Sequence, residues 1–189
     1  MPQSKILLDT NAYLRLAQSI NPLLFEPFGE ENYTLYLIDD FQKEFDRNQR
    51  LKEKFYWVNE SEYVDNRKKK IKISRQDKND INVAYSIIWE QNITMGLGAS
   101  RTDVRALAFG YILNIPVVTD DNEMVVLAEA FEIEVWGIIQ LMKIMYDSKH
   151  LNFKKLKAIV NYLEYNKDLP YAGFKKEFEK MFGKQISNK

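Results

Sequence analysis

The sequence predicts an α/β fold: a parallel sheet flanked by helices on both faces, with a helical C-terminal tail. Three observations predict it. Short, wholly apolar runs end abruptly in acids and are followed at once by helical patterns. Strand and helix signals alternate with short connections, the pattern of a parallel sheet covered by its crossover helices. From Gly137 onward no strand pattern remains, only apolar stripes at helical spacing.

Taken in order, Ile6-Leu7-Leu8 is an apolar run ending at Asp9-Thr10-Asn11, a buried parallel strand with a helix over 11–19 directly behind it. Asn21-Pro22 ends that helix. Residues 33–38, rich in aromatic and branched side chains, read as the next strand or as a packed extended entry, and a helix carrying Phe41, Glu44 and Phe45 starts near Asp39. The charged stretch 47–70, with Phe55-Tyr56-Trp57 as its only strong apolar cluster, reads as helix and then loop. Ser74-Arg75-Gln76-Asp77 and Ser100-Arg101-Thr102-Asp103 each place a Ser three residues before an Asp, close to a capping box, and each opens a helix. Residues 95–98 are a loop between these helices. Residues 115–119 form another buried strand, ending at Asp120-Asp121; a helix over 122–131 and a strand over 134–136 follow. The tail, about 138–183, contains three helices, the last two separated by Pro170, before a frayed end at Asn188-Lys189. The chain thus divides into a core of 1–137 and an extension of 138–189 that either packs on that core or forms an interface. Ile138, Ile139, Leu141, Met142, Ile144 and Met145 are apolar nearly all round their helix, which must be covered by the rest of the tail or by a partner.

Composition narrows the chemistry. The 189 residues hold 27 basic and 27 acidic side chains, so net charge gives no nucleic-acid signal and any basic surface must come from clustering. Cysteine is absent, which excludes a disulfide scaffold, a thiol nucleophile and a thiolate zinc site, and fits a reducing cytoplasm. His150 is the only histidine, so mechanisms needing two are excluded. The N-terminal residues are too weakly apolar for a signal peptide, and no apolar run approaches the roughly 20 residues of a membrane span. Carboxylates remain as the chemical resource.

Two apolar strands end in acids, Asp9 and Asp120-Asp121. In open parallel sheets ligands bind beyond the carboxyl ends of the strands, so acids from neighbouring strand ends converge there. Carboxylates packed together repel one another unless some take up protons or a cation offsets the charge. Mg²⁺ and Mn²⁺ prefer such oxygen ligands, and either ion can activate water and stabilise charge on a phosphate. Taken singly, each acid also has a structural reading: Asp9 as a helix N-cap, Asp103 as the third residue of a capped helix, Glu44 as an exposed helical acid.

The order of these motifs resembles the PIN domain nucleases. Leu7-Leu8-Asp9-Thr10-Asn11 is similar to the family's opening strand with its Asp-Thr/Ser-Asn ending. Glu44 falls where the next helix supplies a Glu; Ser100-Arg101-Thr102-Asp103, ahead of an alanine-rich helix, is similar to the next acid motif; and Val117-Val118-Thr119-Asp120-Asp121 is similar to the strand that ends in Thr-x-Asp. The resemblance spans about 1–137, although the stretch from Glu44 to Asp103 is long. It implies a PIN-like sheet and a Mg²⁺ or Mn²⁺ site built from Asp9, Glu44, Asp103 and Asp121, with Asp120 and Glu123 as further candidate ligands. Thr10, Asn11 and Thr119 would orient these acids. It also implies hydrolysis of RNA phosphodiesters, with 5′-phosphate and 3′-hydroxyl products. Small single-domain members similar to VapC-like toxins belong to toxin–antitoxin pairs, which implies an antitoxin partner, and self-association as a homodimer is common.

Basic clusters could meet RNA phosphates. Arg101 and Arg105 flank Asp103; Arg67-Lys68-Lys69-Lys70, with Lys72 and Arg75, and Lys154-Lys155 with Lys157 lie further off, and both of the latter groups also read as solvated faces. Two alternatives stand beside the nuclease. One is a PIN-like module that binds RNA or protein without catalysis. The other is a haloacid-dehalogenase-like phosphatase, which also opens on a strand ending in Asp but needs a second Asp where this chain has Asn11.

Overall fold

A computed structural model describes residues 4–186; the expected frayed end at Asn188-Lys189 lies outside the described residues. The first apolar run forms strand β1 (Lys5–Leu8), which becomes the centre of the sheet. It pairs in parallel with β2 (Thr34–Leu37) on one side and β3 (Val117–Val118) on the other; β4 (Val135–Trp136) lies beyond β3, giving the order β2-β1-β3-β4. Alternate side chains enter opposite layers. Ile6, Leu8, Leu35, Leu37, Val118 and Trp136 join one buried cluster, and Leu7, Tyr36 and Val117 join a second on the other face. Burial on both faces is why these strands read as unbroken apolar runs rather than alternating ones.

Helices cover both layers. In chain order they are α1 (Thr10–Leu16), α2 (Asp40–Arg47), α3 (Gln49–Lys54), α4 (Ser61–Lys68), α5 (Arg75–Thr94), α6 (Arg101–Leu113) and α7 (Asn122–Glu129), followed by α8 (Ile138–Asp147), α9 (Phe153–Tyr165) and α10 (Phe174–Phe182). Helices α5, α6 and α7 fill the second layer through Ile81, Ile88, Val104, Leu107, Met124 and Leu127. The first layer takes α1, α2 and the tail: Ile138, Ile139, Leu141, Met142 and Met145 share one cluster with Ile6, Leu156, Ile159, Phe174 and Phe178. Those five α8 side chains are therefore covered within the chain, each contributing about 1.5–3 kcal/mol of burial.

The stretch 47–70 departs from the expected helix and loop. It is helical in three pieces: α3, a 3₁₀ turn at Tyr56–Asn59, and α4. Asn48 stops α2 in an extended conformation and caps α3 through Leu51 N–H. Trp57 then packs with Tyr63 of α4 and with Tyr13 of α1, the latter a contact over more than forty residues that local pattern does not encode.

The chain leaves β1 for β2 on one side and later crosses to β3 on the other. The gap between the carboxyl ends of β1 and β3 is therefore the sheet's topological switch point, the place where such sheets receive ligands.

Candidate active site

Asp9 and Thr119 sit side by side at that gap because the sheet register continues one residue past each strand: Asp9 N–H donates to Val118 O (3.0 Å), and Thr119 N–H donates to Trp136 O (2.9 Å). Asp9 is 3% exposed and Thr119 is 1% exposed. The Thr119 hydroxyl donates to Asp9 Oδ2 (2.5 Å) and accepts from Asp121 N–H (3.1 Å), tying the two strand ends together. Asp9 Oδ1 caps α1 by accepting from Ala12 N–H (2.5 Å). Asp121 caps α7 through its Oδ1, which accepts from Glu123 N–H (2.9 Å) and Met124 N–H (3.0 Å).

The second pair of acids arrives on helices. Glu44 accepts from Thr10 Oγ1 through Oε2 (2.6 Å) and from Ser100 Oγ through Oε1 (3.5 Å), so one carboxylate bridges the starts of α1 and α6. Asp103 completes a capping box: Ser100 N–H donates to its Oδ2 (2.8 Å), and its own N–H donates to Ser100 Oγ (3.2 Å). Asp103 is the acid that feels the others. Burial pushes Asp9 up from 3.8 to about 7, against the Thr119 and Ala12 hydrogen bonds, and the Asp103 charge adds to the rise. Burial likewise pushes Asp103 up to about 6, with Glu44 and Asp121 raising it further.

Asp9, Glu44, Asp103 and Asp121 thus gather at the switch point; the other predicted residues divide. Asp120 turns away. Its carboxylate accepts from Ile138 N–H (3.3 Å) at the start of α8 and lines a separate 460 Å³ pocket with Tyr171 and Glu177. Burial raises its pKa, and the charge acting against it is Glu177, not Asp103. Glu123 stays exposed, its carboxylate lying against Gly98 in the loop before Ser100; a Cβ on Gly98 would come within 2.8 Å of Glu123 Oε2. Thr10 and Thr119 each donate a hydroxyl hydrogen bond to one of these acids, Glu44 and Asp9 respectively. Asn11 does not: it points to solvent and bonds none of the four acids among the described residues.

Beside Glu44 lies an open cleft of 760 Å³ between α2–α3 and the start of α6. Arg101 and Arg105 line it, as do Lys43, Arg47 and Arg50, which sequence reasoning missed. A signal was available: Arg47 follows Glu44 by three positions, so both share one face of α2. The basic run behaves otherwise. Arg67 is 8% exposed, its guanidinium donating to Tyr13 Oη (2.9 Å), Val58 O (2.7 Å) and Gln42 Oε1 (3.1 Å), so it serves the core and is closed to a polyanion. Lys68 and Lys70 are exposed and pair with Asp65 and Asp39 (2.6 Å each), and Lys69 lies over the Phe25 ring. Burial raises the pKa of both Asp9 and Asp120, and the charge of Arg15, also unanticipated, only partly offsets it.

The donor set suits a hard cation in kind: every candidate ligand is a carboxylate oxygen, and Asp103 Oδ1 and Asp121 Oδ2 carry no hydrogen bond among the described residues. The carboxylates are not drawn into ligand geometry, since no three acidic side chains among the described residues surround one point closely enough to hold an ion. No described helix is long and apolar enough to cross a membrane.

No protein-family model matches the chain, and no curated protein does. A solved structure described as the crystal structure of FitAcB from Neisseria gonorrhoeae is similar to it at 17% identity, over 70% of this chain and 97% of that one, with a TM-score of 0.45. A likeness that slight carries no argument about activity.

Proposed function

We propose that this chain is a Mg²⁺- or Mn²⁺-dependent endoribonuclease. One observation carries the reading: Asp9, Glu44, Asp103 and Asp121 come from four different elements to the switch point of the sheet, where burial and mutual repulsion leave at least two of them short of a compensating positive charge. In this reading the four carboxylates hold one or two ions. An ion held there would provide the means to activate water and to offset charge on the scissile phosphate. Thr119 holds Asp9 and Asp121 in register, Thr10 and Ser100 hold Glu44, and Arg101 and Arg105 steady the phosphate at the mouth.

The resemblance to VapC-like proteins extends the proposal to the toxin of a toxin–antitoxin pair acting in the cytoplasm, with an antitoxin as protein partner. In the same reading 1–137 carries the nuclease and 138–189 braces it. Self-association would use exposed residues such as Val83 and Ile87 of α5 rather than the buried face of α8.

The test is cleavage of mixed single-stranded RNA with added Mn²⁺ or with chelator. Wild type should cut only with metal. Asp9→Asn and Asp121→Asn should each lose more than about 100-fold in rate, beyond the 10–100-fold typical of outer-shell changes, with circular dichroism unchanged. Full activity in either variant, from protein free of contaminating nuclease, contradicts the assignment.

A further inference from the structure

The cleft beside Glu44 is unusual in its charge. The chain has equal numbers of basic and acidic residues, yet five cations, Lys43, Arg47, Arg50, Arg101 and Arg105, line this cleft against two acids, Asp40 and Glu44. Among the described residues, three of the five form no ion pair. Lys43 and Arg105 approach Asp40 at 3.8 and 3.9 Å, whereas Arg47, Arg50 and Arg101 form no ion pair among the described residues. Five cations facing two acids leave the cleft with a net positive field that draws an anion.

The two walls are built differently. On one, Asn48 breaks the backbone between α2 and α3, which turns Arg47 and Arg50 into the cleft from consecutive helix ends. On the other, Tyr85 and Trp89 of α5 stack on each other (6.3 Å, 12°), with Arg105 over Tyr85 (5.6 Å) and Arg101 over Trp89 (5.8 Å). An aromatic face fixes a guanidinium without consuming its N–H donors. Arg101 therefore stands against Trp89 at the cleft with no hydrogen bond or ion pair among the described residues, and Arg105 gives up one donor to Asn82 Oδ1 (2.7 Å).

We propose that Arg47 and Arg50 on one wall and Arg101 on the other form a two-sided clamp for the phosphodiester backbone of a single polynucleotide strand, which it feeds past Glu44. Trp89 is the positioning residue for Arg101. The inference rests on the nuclease reading of the adjacent acids, but it concerns binding rather than cutting. Phosphates bound between the walls lie beside Glu44 and Ser100, at the edge of the acid cluster. The clamp reads charge and backbone, so it confers affinity without sequence choice.

The experiment uses the full chain in chelator, where cleavage does not interfere, and follows fluorescence anisotropy of a labelled mixed-sequence single-stranded oligoribonucleotide across a salt series. Each phosphate contact on a single strand contributes about −0.7 to the slope of log K against log salt. Arg47→Ala/Arg50→Ala should weaken binding at least tenfold and flatten the slope by about 1.4. Arg101→Ala should flatten it by about 0.7. Trp89→Ala should weaken binding and leave the slope unchanged, because it loosens a contact that still forms. Lys68→Ala/Lys70→Ala, on a different surface, should change neither quantity. Equal affinity and slope in wild type and the Arg47/Arg50 double variant, with melting curves superimposed, would overturn the clamp; so would an equal loss in the Lys68/Lys70 variant, or a duplex of the same sequence competing as well as the single strand. Wild type that binds the strand but shows no metal-dependent cleavage would instead count against the nuclease reading alone.

Discussion

Helices α5 and α6 begin with nearly the same four residues, Ser74-Arg75-Gln76-Asp77 and Ser100-Arg101-Thr102-Asp103, and fold them into the same capping box. In both, the Ser hydroxyl accepts from the Asp N–H and the Asp carboxylate accepts from the Ser N–H. Their electrostatics then diverge. Asp77 lies in water, and the Ser74 hydrogen bonds lower its pKa. Asp103 lies at the switch point among Glu44, Asp121 and Asp9, and burial lifts it to about 6. The local motif is a sufficient account of Asp77 and an incomplete one of Asp103. A carboxylate at a helix start becomes a candidate ligand when the sheet delivers other carboxylates to it, and the cap merely fixes its direction.

The largest contrast should appear in activity. Asp103→Asn should reduce metal-dependent RNA cleavage by more than about 100-fold, whereas Asp77→Asn should stay within about twofold of wild type, and initial rates on the same RNA measure both. Equal losses would erase the distinction between the two helix starts.

A smaller contrast lies in the pH dependence of stability. Asp103 and Asp9 have folded pKa values above the ordinary 3.8, so their contribution is fully present below that value and is lost as pH rises through about 6 and about 7. Asp77 runs the other way: its contribution is present above 3.8 and is lost as pH falls through its lowered folded value. In chelator, Asp103→Asn should therefore gain on wild type between pH 4 and pH 7, by on the order of 2 kcal/mol. Asp77→Asn should gain nothing over that range. Thermal melts at half-unit intervals would read both slopes, and a flat difference for Asp103→Asn would mean that its site repels less than burial implies.

The same divergence explains what the sequence made legible. Strands β1 and β3 were readable because burial on both faces leaves unbroken apolar runs, and the acids ending them mark where the runs stop. Helices α5 and α6 were readable from their caps. The fate of neighbouring residues was not readable, because it depends on distant partners. Asp120 and Asp121 are adjacent after one strand, yet Asp120 is taken by Ile138 N–H of α8, and the α7 cap turns Asp121 toward Asp103. Arg67 opens a run of four basic residues but is drawn inward by Tyr13, Gln42 and Val58. The pieces of 47–70 owe their folding to an aromatic cluster assembled from α1, α2 and the 3₁₀ turn, for which local periodicity gives no sign.

The central claim is that four carboxylates act as one site whose repulsion a divalent cation relieves. Calorimetric titration of Mn²⁺ into wild type, Asp9→Asn, Asp103→Asn and Asp77→Asn, at pH 6.5 in two buffers of different ionisation enthalpy, tests it most directly. Wild type and Asp77→Asn should bind alike and release protons, since the raised Asp9 and Asp103 must deprotonate to become ligands. Asp9→Asn and Asp103→Asn should bind more than about tenfold more weakly and release fewer protons. Equal Mn²⁺ affinity in all four proteins, or wild-type binding with no proton release, would contradict it.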